Sequence, residues 1–422
     1  MGLAGRIALV FASMAVMAGS ASAAPAGHYL FAWAGDASGK GEDFLAVIDA
    51  DPASSSYGKP VASAASGIRS QQAHHSEYWM PASGLLFAND HEAGKTAIMD
   101  VRDPLHPRVH ATFGDLDGFS HPHSFLRLPN GHVLASFQVE GHMHHSGMDG
   151  AMRDHGAHAM AATDDIGARP GVHGGLVEID DDGRAIRSSS NADPARPNDF
   201  LMAYGLLPLP DIDRVVVTNS PMRGDDRNGR TYQIFRLSDL KRLSTNELDR
   251  GAGLYGEINP EEARRGPDGS VYVQTLGCGI ERITGIASTR PKSKLVWQFP
   301  GSNCGVPTIV AHYLIQTVPI LHAVVVLDIR RGDHPVEVGR TFIDPIIGPH
   351  WTAYDPVTHR VALTGHEENR LYMLTFDPVT GALAMDAAFR DADGKPGFDF
   401  DGKTWPHGWT GSAVAHGVVF SR

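Results

Sequence analysis

Short apolar, β-branched runs ending on a polar or acidic residue recur along the chain. They are FLAVID ending at Asp49, TAIMD at Asp100, GLVEID at Asp180, YQIFRL at Leu237, GIERIT at Thr284, AVVVLD at Asp328 and LYMLTFD at Asp377. Runs of this length and composition between turn formers read as strands. Their ends lie 51, 80, 57, 47, 44 and 49 residues apart. Seven units of similar period predict an all-β, seven-bladed β-propeller, one four-stranded blade per unit. The alternative counts are six and eight blades.

Each unit also carries an earlier strand pair. Examples are EYWMP-ASG-LLFAND, SFLRLP-NG-HVLASFQ, YGLLPLPDIDRVVVTNS and WTAYDPVTHRVALTG. The Pro-Asn-Gly of the second is a hairpin signal. Helical signal is confined to short stretches near Ser238–Leu243 and Asn259–Arg265, which read as loop decorations. The long third spacing implies an insertion of about 30 residues against the repeat period, at roughly 141–174. HYLFAWAG and FLAVID supply the middle strands of blade one, and the C-terminal GSAVAHGVVFS supplies its inner strand. One blade closed by both termini protects the ring from fraying.

The first strand of each blade lines the central channel, so equivalent strand starts converge there. Several of these starts carry histidine. QAHHSEY brings His74 and His75, SHPHSF brings His121 and His123, GPHWTAY brings His350, and WPHGWTG brings His407. Imidazole suits copper, zinc, iron and nickel, and three or four imidazoles with an open position make a site for a metal and a substrate. Pro122, Pro349 and Pro406 restrict the backbone beside three of them. Strand alternation sends neighbours to opposite faces, so at most one of each adjacent pair is expected to be a direct ligand. His312, His322, His366 and His416 lie in or beside strands and read as structural histidines or as groups that orient ligands.

Composition narrows the setting. Arg6, an apolar run from Ile7 to Ala18, and Ala21-Ser22-Ala23 have the pattern of a cleaved secretory leader over 1–23. That run is too short to span a bilayer, and no later run approaches that length. The expectation is a single propeller domain over 24–422, exported to a periplasm or secreted. In such a compartment Cys278 and Cys304 read as one disulfide. Net charge is −12, with no basic run, which argues against nucleic acid.

The insertion contains GHMHHSGMDGAMRDHGAHAM, with His142, Met143, His144, His145, Met148, Met152, His155, His158 and Met160. Thioether sulfur favours Cu(I) and imidazole suits both copper states. The irregular spacing is poor for a closed zinc site and acceptable for an accessory tract that collects copper. The bland alternative is a polar loop that happens to be rich in histidine.

The first third resembles the selenium-binding protein and methanethiol oxidase family. The likeness rests on Tyr29–Val61, YLFAWAGDASGKGEDFLAVIDADPASSSYGKPV, followed by AHHSEYWMP, TAIMDVRDPLHPRV and HPHSF. The resemblance implies a seven-bladed propeller and a copper-dependent periplasmic oxidase. Its reaction takes methanethiol, oxygen and water to formaldehyde, hydrogen sulfide and hydrogen peroxide. It also implies a histidine-based metal site at His74 or His75 and at His121 or His123, and repeat position extends this to His350 and His407. Family members named for selenium carry a cysteine after the first D-x-D-P. Here that stretch reads SSSYGKPV, which puts selenium binding in doubt.

The leading expectation is therefore a copper oxidase of a small thiol, with that thiol and O2 as its small-molecule partners. One alternative is a non-enzymatic copper-binding or selenium-binding-like propeller. Another is a lactonase-type hydrolase, although such sites favour carboxylate and amide ligands around calcium.

Overall fold

A computed structural model of the chain describes residues 27–141, 171–221, 229–249, 258–288, 290–343, 348–365 and 368–422. Seven antiparallel sheets form the blades of a propeller. The expected repeats are the third strands of successive blades, among them Glu42–Asp49, Lys95–Asp100, Gly175–Ile179 and Ala323–Asp328. Blade one runs outward from Ala413–Phe420 through Tyr29–Asp36 and Glu42–Asp49 to Pro60–Arg69. Leu30 pairs with Phe420, so the C-terminal strand is the innermost of that blade.

The apolar core lies between blades, because alternate residues of a strand face opposite neighbours. In blade two, Leu86, Ala88, Ala97 and Met99 pack toward Trp33 and Val47 of blade one. Their neighbours Leu85, Phe87 and Ile98 pack toward Phe125 and Phe137 of blade three. A fully buried side chain of this size contributes about 1.5–3 kcal/mol. Cys278 and Cys304 are joined in a disulfide that ties a turn of blade five to the entry of blade six.

Two local expectations fail. Asn259–Arg265 is not helical, since Pro260–Arg265 is the inner strand of blade five, paired with Val271–Thr275. Glu, Ala and Arg after proline favour a helix locally, but pairing along the channel overrides that weak preference. Ser238–Leu243 is a turn that runs into the strand Arg242–Glu247. Among the described residues, helix is limited to the 3-10 turns Pro210–Ile212 and Pro319–Leu321.

Candidate metal centre

The inner strands share a feature that strand alternation does not anticipate. Six of the seven carry an extra residue at an equivalent place, so that two residues oppose one on the next strand; Thr308–Val310 of blade six pairs without such a shift. In blade two, Ala73 pairs with Asp90 and Ser76 with Ala88, leaving His74 and His75 opposite Asn89. In blade three, His123 and Ser124 oppose Ser136. Tyr204 and Gly205 oppose Thr218 in blade four, and Glu261 and Glu262 oppose Gln274 in blade five. His350 and Trp351 do the same in blade seven, as do His416 and Gly417 in blade one.

Such bulges leave a residue unpaired and re-aim its side chain. The displaced backbone N–H then needs an acceptor, and the opposing side chain supplies it. His75 N–H donates to Asn89 Oδ1 (2.7 Å), Ser124 N–H to Ser136 Oγ (3.1 Å) and Gly205 N–H to Thr218 Oγ1 (2.9 Å). Asn89 also donates to the Pro122 carbonyl (2.7 Å), which fixes blade two against blade three beside His123.

The bulges gather His74, His75 and His123 into one buried group whose ligand atoms lie within 4.8 Å of one another. Both members of the adjacent pair join it, contrary to the alternation argument. Their rings stack 4.2 Å apart at 5°. The His123 ring lies 4.4 Å from His75 and 5.1 Å from His74. His416 stacks on His74 at 4.3 Å, and His350 lies 4.6 Å from His416. Gly417 permits this approach, since a Cβ there would fall 2.5 Å from Ser76 N. Blades seven, one, two and three thus carry a continuous arc of imidazole, and Tyr204 and Glu262 lie on the opposite arc.

Hydrogen bonding separates the two nitrogens of each ring. The Ser124 hydroxyl lies 3.1 Å from His123 Nδ1, 3.4 Å from His75 Nδ1 and 3.3 Å from Glu262 Oε1. If it donates to the Glu262 carboxylate, its oxygen accepts both Nδ1–H groups. His123 Nδ1–H can also donate to the Tyr204 carbonyl at 3.2 Å. Both Nε2 lone pairs then point away from these anchors. His75 Nε2, His123 Nε2 and His74 Nδ1 are buried without a hydrogen-bond partner. Three orphaned imidazole nitrogens in one place are costly, and they are what a metal would satisfy. A carboxylate or hydroxyl that fixes the second ring nitrogen is the usual support of a histidine ligand.

Burial, followed by the neighbouring imidazoles, holds His74 and His75 well below the usual histidine range. His123 is lowered chiefly by burial and then by His91. All three are therefore neutral, the form that ligates. On the side of the strand ends, Trp351 meets the His75 ring edge-on at 5.0 Å, and Tyr78 stacks on Trp351 at 4.8 Å. The donor set fits a borderline transition metal with an open coordination position.

Other expected residues lie elsewhere. His121 adopts a positive φ of 58° and faces His91 (5.9 Å) rather than the group. His350 packs on His416 and acts electrostatically on His75, outside the three-histidine group. His407 is not at the channel, because the closing strand begins at Ala413 and WPHGWTG forms a separate ribbon, Lys403–Thr404 with Thr410–Gly411. His407 Nδ1 bonds Ser63 Oγ (2.6 Å) and its ring packs on Phe44. The sequence signal that should have marked His416 is its place in the closing strand, equivalent to His74. Glu262 and Ser124 carried no such mark. The residues from His142 to Met160 proposed as an accessory copper tract lie outside the described residues.

No protein-family model matches the chain. Over 107 residues it is 34% identical to methanethiol oxidase from Hyphomicrobium sp., a match covering 24% of this chain and 24% of that protein. In fold it is similar to a hypothetical selenium-binding protein from Sulfolobus tokodaii, with a TM-score of 0.67, 15% identity and 94% of each chain covered. It is also similar to a periplasmic gluconolactonase from Pseudomonas aeruginosa, with a TM-score of 0.61, 11% identity, and 94% and 99% of the two chains covered. Both structural likenesses concern the propeller alone, which hosts unrelated chemistries. The resemblance of this chain to the selenium-binding protein and methanethiol oxidase family thus rests on a short stretch of sequence similarity and on a shared seven-bladed fold.

Proposed function

We propose that the protein is an exported, copper-dependent oxidase of a small thiol, acting on methanethiol or a close analogue. The observation that carries this reading is the trio of buried, neutral imidazoles with unbonded nitrogens at His74, His75 and His123. The stretch of similarity to methanethiol oxidase supports the choice of substrate. The leader-like residues 1–23 support export. The reaction is methanethiol plus O2 plus H2O to formaldehyde, hydrogen sulfide and hydrogen peroxide, in which the carbon loses the electrons that O2 gains.

Copper would supply a thiolate-binding Lewis acid and a one-electron couple. The chain's own part is to hold and shield it. His74, His75 and His123 would be the ligands. Ser124 and Glu262 keep His75 and His123 in the Nδ1–H tautomer. Trp351 and Tyr78 close the strand-end side against water. Among the described residues no helix is long and apolar enough to cross a membrane.

The test is metal analysis of the mature protein followed by oxygen uptake with methanethiol. About one copper per chain, with formaldehyde, sulfide and peroxide formed in equal amounts, is the expected result. Copper without turnover would leave a copper-handling propeller. Calcium, or no metal, would overturn the reading.

A further inference from the structure

The opposite mouth of the channel, at the carboxyl ends of the inner strands, holds an open pocket of about 210 Å³. Leu126, Leu207, Ile309 and Ala353 wall it, one each from blades three, four, six and seven. Trp79 lines it as well and is 57% exposed, among the most exposed large hydrophobic side chains described. Tyr78 and Arg264 also line it, and Tyr78 together with Trp351 separates it from His75.

The polar groups around this pocket are largely engaged within the protein. Thr308 Oγ1 donates to the Thr352 carbonyl and Thr352 Oγ1 to the Val306 carbonyl, each at 2.9 Å. The Tyr354 hydroxyl bonds His359 Nδ1 at 2.7 Å, and Arg265 is paired with Asp211. Arg264 differs. Its Nε donates to the Pro307 carbonyl (2.9 Å), and its Nη1 to Glu262 (3.2 Å) and the Ala263 carbonyl (2.9 Å). The guanidinium lies 4.0 Å over the Tyr78 ring, and its Nη2 is buried with no hydrogen-bond acceptor. The charge of Arg264 is thus already matched by Glu262, while one of its donors is unused.

We propose that this pocket is a binding site for a small neutral molecule, mostly apolar, with one hydrogen-bond-accepting atom that is received by Arg264. Apolar walls with a few convergent polar groups, here Arg264 Nη2 and the Tyr78 hydroxyl, are the usual make-up of a small-molecule site. The volume lies below the range of about 300–1,000 Å³ for drug-sized ligands, which sets the size class. An anionic head is disfavoured because it would bring a second negative charge to a guanidinium that Glu262 already neutralises. A cationic head would bring a like charge against the Arg264 guanidinium. The site needs no metal and stands apart from the oxidase reading.

The experiment titrates the metal-stripped mature protein with four probes of one shape: cyclopentanone, cyclopentane, cyclopentanecarboxylate and cyclopentylammonium. Binding is read by calorimetry and by tryptophan fluorescence, to which Trp79 contributes. Cyclopentanone should bind at least tenfold more tightly than each of the others. Leu207→Trp, which fills the pocket and leaves the Arg264–Glu262 pair intact, should abolish binding. Arg264→Gln should weaken cyclopentanone at least fivefold and leave cyclopentane unchanged. Carboxylate binding as tight as that of the ketone, absence of cyclopentanone binding, or binding unaffected by Leu207→Trp would overturn the proposal. If Arg264→Gln fails to fold, the probe series and Leu207→Trp still decide it.

Discussion

Ser124→Ala tests whether the histidine group is built as a set of ligands. The Ser124 hydroxyl is the shared acceptor for His75 Nδ1 at 3.4 Å and His123 Nδ1 at 3.1 Å, and it faces Glu262 at 3.3 Å. Removing it affects the two rings unequally. His123 keeps the Tyr204 carbonyl at 3.2 Å, whereas His75 is left only with Glu262 Oε1 at 3.9 Å, beyond hydrogen-bond reach. One of three ligands therefore loses its orientation. Loss of such a support typically lowers metal affinity about 10–100-fold, or about 1.4–2.7 kcal/mol. With only one ring released, the lower end is expected, close to tenfold. The assay is competitive copper titration against a chromophoric chelator, run beside NMR of the imidazole nitrogens in the metal-stripped protein. Wild type should show His75 as the Nδ1–H tautomer, and Ser124→Ala should mix its tautomers while leaving His123 unchanged. Copper affinity within twofold of wild type, together with an unchanged His75 tautomer, would show that Ser124 does not orient the ligands.

Three further outcomes follow from the same structure. His416→Ala should perturb metal retention through its stacking on His74, whereas His407→Ala should leave it unchanged, as metal analysis of the purified variants will report. Glu281 is pushed up to about 8, chiefly by burial and then by Asp249, and its Oε2 has no hydrogen-bond partner. Because its folded pKa lies above the ordinary carboxylate value, its stabilising contribution is complete below about pH 4.5 and is lost as pH rises through about 8. Glu281→Gln should therefore gain stability over wild type as pH rises, up to about 4–5 kcal/mol above pH 8; parallel denaturation profiles from pH 5 to 9 would contradict this. Replacing Cys278 and Cys304 by serine releases a closure spanning 26 residues and should cost about 3–4 kcal/mol in chemical denaturation, without loss of metal.

The fold was legible because a blade is a local unit. Its third strand is buried on both faces and ends at a turn, so TAIMD or AVVVLD announces itself without reference to distant residues. The site was legible only in part. His74, His75 and His123 were visible as histidines at strand starts, but which way they face depends on bulges in the pairing with the next strand. Asn89 and Ser136 help to set those bulges, and neither stands out in the sequence. His416 looked structural because its stacking on His74 depends on the closing strand reaching blade two across Gly417. His407 looked functional because its Pro-His dipeptide resembles those of the inner strands, although the strand proper starts at Ala413. Glu262 was hidden in a locally helix-like run that becomes a strand only by pairing with Val271–Thr275 of the same blade.

His74, His75 and His123 are the proposed metal ligands. The most direct measurement is the copper stoichiometry of the mature protein and of its His123→Ala variant, each folded and dialysed against the same copper buffer. About one tightly held copper is expected per wild-type chain and none in the variant at the channel, with circular dichroism showing the propeller intact in both. Equal copper in the two proteins, or no copper in the wild type, would contradict it.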